Sequence, residues 1–195
     1  MGRFWPPHPA GSVAVATKSA SEVGTMDYDR SARRSATITA PPEIVFAALD
    51  DPLRLGRHMA RRSAAMLGGY MRTTPDAGGG QVVGSVIRVE GSVLGLSLSI
   101  LEAVVERDPP RRKVWETVQP PRLVVLGSYR LGFEIAPYRD GSHVQAFIDY
   151  DHPRGTLGGL LGRIGASTYA RWCLDRILEE AEGVDSKTHK SEALP

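Results

Sequence analysis

The stretch TITAPPEIVFAAL at residues 37–49 passes from an alternating pattern to a helical one within a few residues. Just upstream and into it, Ala36, Ile38 and Ala40 alternate with Ser35, Thr37 and Thr39, the period-2 signature of a half-buried strand. Pro41 and Pro42 end that strand, because proline has no N–H for a sheet ladder yet fits the first turn of a helix. Glu43 suits the positive end of a helix. Residues 42–49 therefore predict a short helix with Ile44, Val45 and Ala48 turned inward. Asp50, Asp51 and Pro52 break it, and a second short helix is expected over 52–59, interrupted by Gly56.

Downstream, six strand-like runs follow at 65–73, 82–90, 94–107, 113–118, 123–136 and 143–151. Turn residues separate them: Pro75 and Asp76 with Gly78, Gly79 and Gly80; Gly91; Pro109 and Pro110; Pro120 and Pro121; Asp140 and Gly141. Regular spacing of this kind predicts an antiparallel meander, and the first strand brings the expected total to seven. Residues 157–182 read as a long helix. Its apolar positions fall into two groups, Leu160, Leu161, Ile164 and Thr168, then Ala170, Leu174, Ile177, Leu178 and Ala181, so it meets apolar surroundings on more than one side. The fold class is α+β, a curved seven-stranded antiparallel sheet with two short helices after its first strand and a long C-terminal helix.

A chain of 195 residues, 42% hydrophobic and 24% charged, is an ordinary globular composition for one domain. The expected organisation is a disordered extension over 1–30, a folded domain over 31–184 and a disordered tail over 185–195, since neither end has apolar periodicity. Translation from Met1 and from Met26 are both compatible with that boundary. A net charge of +2 gives no electrostatic footprint for nucleic acid. The longest apolar runs fall short of the ~20 residues of a membrane-spanning helix. Cys173 is the only cysteine, which excludes an intramolecular disulfide and suits a reducing, cytoplasmic location.

The opening strand followed by APPEIVF, the Asp51-Pro52 pair with its short helix, and the final helix carrying Tyr169, Ala170, Arg171 and Trp172 resemble the SRPBCC superfamily, the START-like or birch-pollen-allergen-like proteins. The resemblance spans about residues 33–182. It implies a helix-grip fold, in which the sheet wraps the last helix around an internal cavity. It does not carry over one activity, because that fold serves lipid and hormone carriers, polyketide cyclases and dehydratases, and oxygenase domains. The cysteine and histidine pairs of a Rieske cluster are missing.

Alternation nominates the cavity lining. On 123–136 the positions Leu123, Val125, Tyr129, Leu131, Phe133 and Ile135 share one phase, and Val144, Ala146, Ile148 and Tyr150 match them on the last strand. Val83, Ser85, Ile87 and Val89 do the same earlier in the chain. From these, Val125, Tyr129, Leu131, Phe133, Ile148 and Tyr150 are expected to touch a ligand, together with Trp115 and Tyr169. The aromatic members combine apolar bulk with a polar tip, as orientation of a hydrophobic molecule requires. A filled core is the plainer alternative for each of them.

His58, beside the rim of the pocket in this fold, is the one histidine with a claim to acid–base work, and a surface role competes with it. The histidines have no metal-ligand spacing, no nucleotide-binding glycine loop is present, and no cofactor is expected. Arg57, Arg61 and Arg62, with Arg111, Arg112 and Lys113, allow peripheral contact with an anionic surface, or are simply solvated charges. The sequence thus points to binding of a small hydrophobic molecule such as a lipid, quinone or aromatic polyketide. The alternatives are a cyclase or dehydratase with an acid or base in the cavity, and an interaction module for protein or membrane. Oligomeric state and ligand identity have no signature in it.

Overall fold

The computed structural model describes residues 27–60, 69–93, 95–123, 125–153 and 156–192; the side chains of His58 and of residues 156–164 and 185–192 lie outside that description. Strand β1 (Arg30–Ile38) leads into α1 (Pro42–Leu49), α2 (Pro52–Leu55) and a 3-10 turn (Arg57–Met59). Six strands follow, β2 (Tyr70–Pro75), β3 (Val86–Val93), β4 (Leu96–Asp108), β5 (Arg112–Thr117), β6 (Tyr129–Tyr138) and β7 (Gly141–Tyr150). Helix α3 (Thr156–Glu192) closes the order.

The strands form one antiparallel sheet in the order β1-β7-β6-β5-β4-β3-β2. Consecutive strands from β2 to β7 pair with their neighbours, through short turns at β3–β4, β4–β5 and β6–β7 and longer connections at β2–β3 and β5–β6, and β1 joins β7 with Ala32 opposite Ile148. A register shift between Val104 and Glu106 bends β4 against β5 and adds to the curl of the sheet. Helix α3 packs against β1, β7 and α1. Its buried stripe is Ala166, Ala170, Leu174, Ile177, Ala181 and Val184, with Leu178 beside it. This is the helix-grip arrangement that the element order implies.

Helix α1 occupies the expected residues, with Val45, Phe46, Ala48 and Leu49 buried; Ile44, expected inward, is half exposed. Asp51 caps α2 by accepting hydrogen bonds from the backbone N–H groups of Leu53 and Arg54, which sets the short helix despite Gly56. Three expectations need correction. Residues 82–85 form a turn, not the start of a strand, because Gly84 takes a positive φ of 88° and the Ser85 N–H folds back to the Val82 carbonyl. Val83 is consequently exposed, whereas Ser85, Ile87 and Val89 are buried as expected. Thr168 lies on the exposed side of α3.

The third correction concerns the C-terminal boundary, since α3 continues to Glu192 across residues expected to form a tail. Residues 1–26 and the first part of the expected run at 65–73 lie outside the described residues. No helix among the described residues is long and apolar enough to cross a membrane.

Candidate functional site

The curl of the sheet leaves a cavity of about 110 Å³ under α3, well above the ~10–15 Å³ that one water occupies on the same measure. Strand β4 supplies Ile100 and Glu102, β5 supplies Lys113 and Trp115, and β6 supplies Tyr129 and Leu131. Ile148 enters from β7, and Tyr169, Cys173 and Ile177 descend from α3 at helical spacing. Leu55 and Met59 approach from the segment after α1, opposite Met71 and Thr73 of β2.

Five of the eight residues expected to touch a ligand, Trp115, Tyr129, Leu131, Ile148 and Tyr169, are in this lining. Phe133, Tyr150 and Val125 are not. Phe133 is fully buried and packs edge-on against Phe46 of α1 at 5.7 Å and against Trp115 at 6.2 Å, so α1 fills the space there. Tyr150 is buried in the core beside Tyr129 across the β6–β7 ladder. Val125 is displaced because residues 123–128 do not continue β6. Gly127 instead pairs its N–H with the Asp151 carbonyl, and Arg122 bridges to Ser99. The alternation breaks in that loop, and Leu126 turns into the cavity in place of Val125, whose side chain lies toward Gly165. The side chain of His58 lies outside the described residues; its backbone belongs to the 3-10 turn, where Met59 reaches the cavity.

Sequence reasoning missed Glu102, Lys113 and Cys173. Both charged residues carried a readable signal. Glu102 falls in phase with the buried Leu98, Ile100 and Val104, and Lys113 in phase with Trp115 and Thr117, so each is a charge on an apolar strand face. Such a residue must find a partner or shift its ionisation. Lys113 finds one: its ammonium donates to the Asp50 carbonyl at 2.6 Å and to Asp50 Oδ1 at 2.8 Å, while Arg107 holds Asp50 Oδ2 at 2.8 Å. The basic run at 111–113 is therefore not a free patch. Arg111 pairs with Asp108 and Arg112 with Glu106 and Glu134, and Arg57 reaches Glu180. Arg61 and Arg62 lie outside the described residues.

Among the described residues no cation lies within ion-pair distance of Glu102. It is 6% exposed, accepts a hydrogen bond from the Tyr129 hydroxyl and another from the Trp115 side chain, and feels Lys113 only at a distance. Desolvation outweighs these contacts and pushes its carboxyl up to about 7. Nearby, Tyr169 and Cys173 share a hydrogen bond; burial raises the Tyr169 hydroxyl well above its ordinary value and pushes the Cys173 thiol up to about 12, so this thiol stays protonated. Tyr129, desolvated and next to Glu102, also stays a neutral hydrogen-bond donor. Among the described residues no cluster has the composition of a metal site.

A raised carboxyl gives a signed expectation for stability. The favourable contribution of neutral Glu102 is complete below the unfolded value of 4.5 and is lost as pH rises to about 7. The stability of wild type relative to Glu102→Gln should fall by on the order of 2 kcal/mol between about pH 4.5 and about pH 8. Urea denaturation of both proteins at the two pH values measures this, and a difference independent of pH would show that Glu102 ionises normally.

Residues 29–182 match the model of the family described as polyketide cyclase / dehydrase and lipid transport. This chain belongs to that family. No curated protein matches it. Among solved structures the fold is similar to that of TTHA0849 from Thermus thermophilus, at 17% identity and a TM-score of 0.57 over 82% of this chain and 99% of that one. It is similar also to Ara h 8.0201, at 14% identity and a TM-score of 0.53 over 78% of this chain and 97% of that one. The major latex-like protein 151 of Panax ginseng gives 16% identity and a TM-score of 0.51 over 80% and 97%. The family and these folds place the chain in the SRPBCC superfamily, a hydrophobic ligand-binding architecture.

Proposed function

We propose that this family member binds a small, mostly apolar molecule in the cavity under α3, with the polar part of the ligand at the Glu102–Tyr129 pair. The observation that carries this reading is the cavity itself: its walls are mostly aliphatic and aromatic, and the Tyr129 hydroxyl and the Glu102 carboxyl meet in them as one polar pair. Apolar walls supply affinity through desolvation and the polar group fixes orientation. A second reading, proton transfer on a bound molecule by a cyclase or dehydratase mechanism, draws on a different residue from the one expected. Glu102, with its carboxyl near 7 inside the cavity, has the ionisation of a general acid or base. Conversion of the bound molecule, as opposed to its retention, distinguishes the two.

The test is calorimetric titration with toluene, a neutral apolar probe of a size that a cavity of about 110 Å³ admits. Leu131→Trp should weaken toluene binding about tenfold or more while circular dichroism stays unchanged, since the larger ring takes up the spare volume of the cavity. Val125→Trp, outside the lining, should leave toluene affinity close to that of the wild type. Undiminished affinity in a folded Leu131→Trp protein would remove the cavity as the binding site.

A further inference from the structure

Resting on that reading, we infer that the ligand carries a protonated nitrogen and that Glu102 is its counter-ion. Two independent observations point the same way. Glu102 is a buried acid whose hydrogen-bond partners, Tyr129 and Trp115, are neutral. A carboxylate held in an apolar cavity is costly unless a cation compensates it. The one cation among the described lining residues is committed elsewhere, because Lys113 donates to two oxygens of Asp50. The second observation is the wall. Trp115, Tyr129 and Tyr169 line the same cavity as the acid, and aromatic rings attract cations through their quadrupoles. An acid with no described cation within ion-pair distance, enclosed with two tyrosine rings and with a Trp115 ring that also stands 5.9 Å from the Lys113 ammonium, is the donor set of an ammonium site.

Other charges at the cavity confine the site. On β5, Lys113 shares the single carboxylate of Asp50 with Arg107, which leaves that trio one net positive charge and restricts an incoming ammonium to the Glu102 side of the cavity. On β6 and α3, Tyr129, Tyr169 and Cys173 all keep their protons at neutral pH and add no charge. Leu55, Met59, Met71 and Thr73 carry none. An ammonium entering beside Glu102 therefore converts a carboxyl that is half protonated near neutrality into an ionised one, and binding below that range releases a proton. The ligand class is a small lipophilic amine of about one ring or an equivalent aliphatic body, the size that a cavity of about 110 Å³ admits.

Three single-ring compounds of nearly equal size test this: benzylamine, benzyl alcohol and benzoic acid, titrated against the full chain. At about pH 8.5 the amine should bind at least about tenfold tighter than the alcohol, the ratio that a charge-assisted hydrogen bond supports. Its advantage should shrink towards about pH 5.5 as Glu102 takes up its proton, while the alcohol's affinity stays level. Glu102→Gln should bring amine and alcohol to within about threefold of each other. If that variant does not fold, the pH profile of the wild type decides alone. Equal binding of amine and alcohol at both pH values would overturn the inference and leave the apolar cavity intact. Tightest binding of the acid would overturn it too, and assign recognition to Lys113. If none of the three binds and toluene also fails, the cavity reading itself is lost.

Discussion

Asp50→Ala should destabilise the protein by about 3–5 kcal/mol, the cost of removing one partner from a buried ion pair. Lys113 is 2% exposed, and its ammonium has Asp50 as its ionic partner at 2.8 Å. Without the carboxylate, a positive charge would remain inside the sheet beside the Trp115 ring. Arg107, partly open to solvent, would rehydrate. A double variant, Asp50→Ala with Lys113→Met, should recover much of the loss, because it removes both charges and keeps apolar volume. The pair also sets acid sensitivity. Burial raises the Asp50 carboxyl, but hydrogen bonds from Arg107 and Lys113 and their charges outweigh this and hold it below its ordinary range. Its contribution is thus complete above about pH 4 and lost as pH falls through the depressed value. Urea denaturation near neutral pH measures the first effect, and a loss under about 1 kcal/mol for Asp50→Ala would mean that the buried ammonium finds water.

Leu174→Ala should cost about 2–5 kcal/mol, as large-to-small changes in a packed core do. Leu174 is fully buried in the centre of the α3 stripe, between Ala170 and Ile177. Alanines at 170 and 181 already bring the helix close to the sheet, so little side-chain bulk remains nearby to collapse into the vacated space. Arg171→Ala, on the exposed side of the same helix, serves as the control. It gives up only its bonds to the Ser167 carbonyl and hydroxyl within its own helix and should change stability by less than about 1 kcal/mol. Thermal or urea unfolding compares the two, and a Leu174→Ala loss no larger than that of Arg171→Ala would detach α3 from the sheet.

The contrast between Leu174 and Val125 shows how far local pattern reaches. Leu174 is legible because α3 is one uninterrupted element with a 3.6-residue period, and every member of the group from Ala170 to Ala181 that periodicity selects is buried. Val125 is not, because the run from 123 to 136 looks continuous in sequence but becomes a strand only at Tyr129. The bonds that hold the loop, Gly127 to Asp151 and Ser99 to Arg122, join residues more than 20 positions apart, and no local propensity encodes them.

By itself the sequence determined the order of elements, the proline-started helix at 42–49, the sheet's antiparallel meander and most of the aromatic lining. Those depend on period, proline and turn chemistry, which act between near neighbours. Tertiary structure alone decided which polar groups meet. Asp50 and Lys113 are 63 residues apart, and Glu102 and Tyr129 are 27 apart. Whether a charged residue on an apolar strand face is neutralised, as Lys113 is, or left to shift its ionisation, as Glu102 is, depends on what the curled sheet and α3 bring opposite it. Burial makes that difference large, since a charge removed from water is governed by the few groups within a few ångströms.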